Sequence, residues 1–178
     1  SWAGAVSQQQ GIYGSATPGA ATLESAALLG RPAACQPPEG SSLLLVRPHA
    51  LADRKLGGIV HRLHEGGFAI AGAVMLQLSR ENALELFEVY RGVVPEYLGW
   101  VEEVSCGKCV VLQCVYRDDP ASSVEALRRL CGAHDPAVAA LVEPDSIRAL
   151  FGESRVKNAV HCSDLTEDGP SEVHYFFP

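Results

Sequence analysis

Positive charge is in short supply in this sequence: 14 lysines and arginines stand against 21 aspartates and glutamates, a formal net charge of −7 at pH 7. Binding along nucleic acid needs a basic face to neutralise phosphates, so a general nucleic-acid binder is excluded. Long apolar runs are missing too. No stretch approaches the ~18 uncharged apolar residues of a membrane-spanning helix, and no basic segment followed by an apolar run marks a secretion signal. The first residue is Ser1 rather than Met, as expected of a processed product or a fragment.

A disulfide framework is also lacking. Cys35, Cys106, Cys109, Cys114, Cys131 and Cys162 show no framework spacing, and 178 residues can bury a core without cross-links. The expected compartment is therefore reducing. Cys106-Gly-Lys-Cys109 is a lone CxxC, whereas structural zinc takes four ligands, usually from two such pairs. No metal site is expected; the pair reads as a turn entering a strand, with Cys109 and Cys114 as small apolar packers. Familiar catalytic motifs are absent as well. Glu102 stands where a phosphate-cradling Gly-x4-Gly-Lys loop needs its first glycine, and neither a serine nucleophile elbow nor His-Glu-x-x-His occurs.

What is present is periodicity. Residues 1–40 are rich in Ala, Gly, Ser, Gln and Pro, carry only Glu24, Arg31 and Glu39 as charges, and read as a linker. Residues 41–178 read as a folded domain. "SLLLV" (42–46), closed by Arg47-Pro48, predicts a buried strand. Leu56, Ile59, Val60 and Leu63 recur at helical spacing until Gly66-Gly67. "FAIAGAVMLQL" puts its larger apolar residues at 68, 70, 74, 76 and 78, a strand pattern. Ser79 can cap a helix carrying Ala83, Leu86, Phe87 and Tyr90. "CVVLQCVY" (109–116) predicts a third strand. Ser122-Ser-Val-Glu125 has the form of a capping box, Asp135-Pro136 supplies a cap and a first-turn proline, and Asp145 can cap a short helix with Ile147 and Arg148. "AVH" (159–161) predicts the last strand. The order βαββαβ, with extra helices, predicts an α+β fold: a ferredoxin-like antiparallel sheet with helices on one face.

Five cations, Arg128, Arg129, Arg148, Arg155 and Lys157, precede one histidine in "NAVHCSD" (158–164). Arg128 and Arg148 lie among apolar neighbours, where a planar guanidinium at the edge of a core can reach a phosphate in a cleft. The same pattern also describes a solvated helix face, and a lone histidine is ordinarily a satisfied core or surface residue.

Taken in order, "LLLVRPHA", "GGIVHRLHEGGFAIAG", "LCGAHDPAVA", "DSIRALFG" and "NAVHCSDLTEDGPSEVHYFF" resemble the nucleoside diphosphate kinase family over residues 43–177. The resemblance implies that fold and ping-pong transfer of a γ-phosphate between nucleoside triphosphates and diphosphates, with Mg²⁺ carried on the nucleotide phosphates. By motif position, His161 matches the nucleophile and Arg128 and Arg148 the phosphate-binding arginines. Asn158 matches the ribose contact, Glu172 the acid that orients the histidine through its other ring nitrogen, and Ser163 the serine beside it. Neutral imidazole can attack phosphorus without a separate base, and such catalysis is mostly cation positioning.

Departures from the family pattern are numerous. Arg47 replaces a lysine, and His134 replaces a threonine that binds phosphate. Glu96 falls where an aromatic stacks on the base, Phe87 where a tyrosine stands near the nucleophile, and Cys162 where a glycine follows it. The segment between Asp135 and Arg148 is longer than in the housekeeping enzymes. Each lost transition-state contact costs about 10²–10³ in rate.

"PHA" and "EVYRGVVPEY" resemble a tandem-domain branch of the family associated with ciliary axonemes, the doublet-microtubule lumen and γ-tubulin complexes. That likeness implies a cytoskeletal setting in a cilium or flagellum, with tubulin or other axonemal proteins as partners. It also implies a preceding kinase-like domain. Offset by 148 residues, Tyr13-Gly14-Ser15 falls on His161-Cys162-Ser163, so residues 1–30 read either as that domain's tail or as a flexible linker. The departures favour a structural role with weak or lost phosphotransfer. Survival of His161, both arginines, Asn158 and Glu172 favours an active kinase, because an inert scaffold has no evident need of them.

Overall fold

Six consecutive buried residues make β1 (Ser41–Val46) the heart of the fold. In this computed structural model, which describes Thr17 and residues 40–177, the remaining elements follow in chain order. They are α1 (Pro48–Ala52), α2 (Leu56–Glu65), β2 (Phe68–Gln77), α3 (Arg80–Leu86), a 3₁₀ turn (Glu88–Tyr90), α4 (Tyr97–Ser105) and β3 (Lys108–Tyr116). A second 3₁₀ turn (Pro120–Ser122) leads into α5 (Ser123–Cys131), α6 (Pro136–Val142), α7 (Ile147–Phe151), β4 (Val160–Cys162) and α8 (Gly169–Phe176). The linker expected before Gly40 and the echo around Tyr13 lie outside the described residues.

The four strands form one antiparallel sheet in the order β2-β3-β1-β4. This is the expected α+β architecture, with one difference: helices cover both faces. Alternation sends Leu44 and Val46 toward α2, α5 and α7, where Ile59, Leu63, Leu127 and Ile147 are fully buried. Leu43 and Leu45 point the other way, into a second core with Phe87, Trp100, Val101, Val104 and Val173 from the α3–α4 segment and α8. Each such aliphatic contributes roughly 1.5–3 kcal/mol by leaving water. The closing "EVHYFF" is thus a helix that roofs the second face.

A bulge between Ile70 and Gly72 changes the reading of β2. Before it, Phe68 packs in the first core; after it, Val74 and Leu76 pack against the second. One extra residue exchanges the faces of everything downstream. The caps at Ser79 and Asp135 form as expected, accepting from Asn82 N–H at 3.1 Å and Ala137 N–H at 2.9 Å. Two others differ. Asp119, not Ser122, caps the 3₁₀ turn before α5, while the Ser123 hydroxyl accepts from Tyr116 N–H at 2.8 Å. Ser146, rather than Asp145, caps α7.

Candidate functional site

Because β4 pairs with β1 (Leu45 opposite His161), its pleat turns Val160 and Cys162 into the first core and His161 onto the second face. There the imidazole meets Phe87 and Tyr90 edge-on, with ring centroids 5.2 and 6.1 Å away. His161 is only 1% exposed, and its Nε2 is buried without a hydrogen-bond partner. Burial, reinforced by the charge of Arg47, holds its pKa down at about 3. The ring is therefore neutral at pH 7, the state a nucleophile needs.

The cations around it differ in how far they are committed. Arg47, just past β1, is buried; its Nη1 donates to the Val156 carbonyl at 2.8 Å and lies 3.7 Å from the Glu103 carboxylate. Its guanidinium also sits over Trp100 and Phe87, 5.3 and 5.7 Å from the ring centroids. Burial lowers its pKa to about 10 despite Glu103. Arg148 on α7 is buried too. Its Nη1 donates to the Gly132 carbonyl at 2.6 Å, and its Nε and Nη2 to the Val160 carbonyl at 3.3 Å. Arg128 on α5 is exposed, with Asp164 at 3.9 Å.

His134 stacks flat on Trp100, centroids 5.5 Å apart at 16°, and burial followed by Arg148 lowers its pKa to about 4. Its carbonyl accepts from Asn158 Nδ2 at 3.2 Å. A cleft of about 480 Å³ is lined by Arg128, Arg129, His134, Arg148 and Asp164 among others; His161 does not line it.

The remaining expected residues are brought close but bonded differently. The Ser163 hydroxyl donates to Glu172 at 2.6 Å and accepts from Leu43 N–H at 3.1 Å. Glu172 thus holds Ser163, not His161, and burial raises its pKa. Glu96, at the expected base position, pairs with Arg155 at 3.0 Å. The hydroxyl that Phe87 lacks is not simply lost: Tyr90, one helical turn on, donates to Asp164. Cys162 sits 3.8 Å from Arg148 Nη2.

Two residues were not anticipated. His49 Nδ1 lies 2.6 Å from Glu103 Oε1, and His49 Nε2 accepts from the Ala159 N–H at 3.2 Å. Those partners assign the Nδ1–H tautomer. The pair therefore braces Ala159, a non-glycine residue at φ 70°, two positions before His161. The available signal was Glu103 itself, a carboxylate between Val101 and Val104 on the buried stripe of α4.

Among the described residues, no group of three His, Cys, Asp or Glu side chains could hold a metal. A family model described as nucleoside diphosphate kinase matches residues 40–178. The chain belongs to the nucleoside diphosphate kinase family. It is 40% identical over 133 residues to mouse nucleoside diphosphate kinase homolog 7, covering 75% of this chain but only 33% of that protein. It is 34% identical to the nucleoside diphosphate kinase of Nitratiruptor sp., covering 76% of this chain and 93% of that one. The Aquifex aeolicus nucleoside diphosphate kinase structure superposes with a TM-score of 0.70 at 33% identity, covering 78% of this chain and 94% of that one. Within this family fold the expected phosphate-site residues divide into an open pair, Arg128 and His134, and a deep group, Arg47, Arg148, Asn158 and His161.

Proposed function

We propose that this kinase-fold domain serves mainly as a structural component of a larger assembly, with phosphotransfer weak or lost. The observation that carries the reading is the enclosure of the nucleophile: His161 is 1% exposed behind Phe87 and Tyr90. Two of the cations a phosphate needs are already spent on backbone carbonyls. A phosphoryl group gains most from cations that are preorganised and free to meet it. By its resemblance to the tandem-domain branch, the assembly is a ciliary axoneme, and the partner tubulin or another axonemal protein.

A second reading has its own support. Arg47 Nε, Asn158 Oδ1 and His161 Nε2 are all buried and unpaired: a guanidinium N–H suits a phosphate oxygen, and an amide oxygen can accept from a ribose hydroxyl. On that reading His161 accepts the γ-phosphoryl group of a Mg²⁺-bound nucleoside triphosphate and passes it to a diphosphate. Incubation with γ-labelled ATP and Mg²⁺, beside His161→Ala, separates the two. Little or no label at millimolar nucleotide is expected. Acid-labile, alkali-stable label that vanishes in the variant and is rapidly discharged to GDP would overturn the structural reading.

A further inference from the structure

Asp164 is a wall between two concavities of opposite character. On one side lies the cleft with Arg128, Arg129 and Arg148. On the other lies a groove of about 590 Å³ between the end of α3 and α8, and among the described residues no Lys, Arg or His lines it. We infer that this groove is a docking site for an amphipathic helix of a partner protein, one whose apolar face is flanked by Lys and Arg.

The spacing of the walls defines the occupant's shape. One wall, running from the end of α3 through the 3₁₀ turn to Val93, presents Leu86, Val89, Tyr90 and Val93. The other, along α8, presents Asp168, Ser171, Glu172 and Tyr175 at positions i, i+3, i+4 and i+7, with Leu165 ahead of them. An elongated gap between an apolar wall and a helical ridge is what an amphipathic helix packs into. The volume falls in the range of ordinary binding clefts. The apolar rim is open to water: Val89 is 74% exposed, Val93 76%, Leu165 51% and Tyr175 43%. Clustered apolar exposure of this kind marks an interaction surface.

Charge defines its chemistry. Glu85, Asp164, Asp168 and Glu172 all face the groove. Glu85 is bonded by the Tyr175 hydroxyl, Asp164 by Tyr90 and Glu172 by Ser163. Among the described residues only Asp164 has a cation nearby, Arg128 at 3.9 Å, and that arginine belongs to the other cleft. A phosphate-bearing ligand is repelled here, whereas Lys and Arg side chains find carboxylates whose charge is largely uncompensated around an apolar floor. Residues 1–39 offer a single cation, Arg31, and so do not supply the match.

This inference builds on the reading of the domain as an assembly component, and its test is separate from phosphotransfer. The probe is a fluorescein-labelled helical peptide of Leu and Lys, followed by anisotropy against the 178-residue chain at physiological salt; a Leu and Glu peptide is the comparison. Val89→Lys with Leu165→Lys should weaken binding at least tenfold, as should Asp168→Lys. These positions are exposed, so folding should survive, as a thermal melt verifies. Glu102→Lys, on the exposed side of α4, matches the charge change and should leave affinity within about twofold. Equal affinity in the groove variants overturns the inference, as does equal binding of the glutamate peptide. Self-association abolished by Val89→Lys would assign the groove to a second copy and overturn it too. A chain that binds the peptide yet transfers phosphate rapidly would overturn only the structural reading.

Discussion

Removal of the Glu103 carboxylate is the sharpest test of how the site is held. Glu103 is 7% exposed; it faces Arg47 at 3.7 Å and receives both the Nδ1–H and the backbone N–H of His49. In Glu103→Ala a guanidinium that is 1% exposed keeps its charge without a counterion, and His49 loses its anchor. Breaking one side of a buried pair costs about 3–5 kcal/mol. The expected loss is therefore of that size in urea unfolding, read from the midpoint with an unchanged slope. Glu103→Gln keeps an acceptor for His49 but not the charge, and should fall between wild type and Glu103→Ala. The double variant Arg47→Met, Glu103→Gln removes both charges at similar volume and should return to within about 1.5 kcal/mol of wild type. A Glu103→Ala cost below about 1 kcal/mol would refute the reasoning. So would a double variant as unstable as the sum of its parts.

Three other outcomes follow from the same geometry. His161 has a folded pKa of about 3, below the ~6.5 of unfolded histidine. The unfolded chain therefore binds more protons as the pH falls below about 6.5, and stability drops on acidification by up to about 1.4 kcal/mol per pH unit. From this ring alone, urea unfolding at pH 7.5 and 5.5 should differ by about 1–1.5 kcal/mol, and His161→Phe should remove that share; a pH dependence undiminished in the variant would contradict the burial of the ring. Gly132 sits at φ +78°, where a Cβ would lie 2.3 Å from Ser146 Oγ. Gly132→Ala should cost about 2–4 kcal/mol, seen as a lowered melting temperature. Cys106 is exposed, while Cys109 and Cys114 are buried with thiols pushed up to about 12. Among the described cysteines, a thiol reagent should modify Cys106 first under native conditions, as peptide mapping would reveal.

The strands and most helices were legible because their apolar residues keep period 2 or 3.6, and the caps at Ser79 and Asp135 are local chemistry. The second helical layer was not legible: Leu43 and Leu45 look like any buried strand residues, and nothing local says what covers them. The β2 bulge hid behind an even-numbered apolar series that continues on both sides of it. At the site, motif order brought His161, Arg128, Arg148, Asn158, Ser163 and Glu172 into one neighbourhood. Their bonding was not accessible, since Glu172 pairing with Ser163 and His134 stacking on Trp100 depend on contacts between residues distant in the chain. Glu103 escaped notice because a glutamate in a helix is normally solvated.

The double employment of the site's polar side chains bears on which of them a domain of this fold would keep if catalysis were not required of it. Arg148 ties the Gly132 turn to β4, Asn158 tethers His134, and Ser163 with Glu172 clamps α8 to β1. Selection for a folded chain alone would preserve them, so their presence is accounted for by architecture as much as by chemistry. Arg128 is different: it is exposed, with one distant ion pair. In lineages that have abandoned catalysis, drift should reach Arg128 well before Arg148.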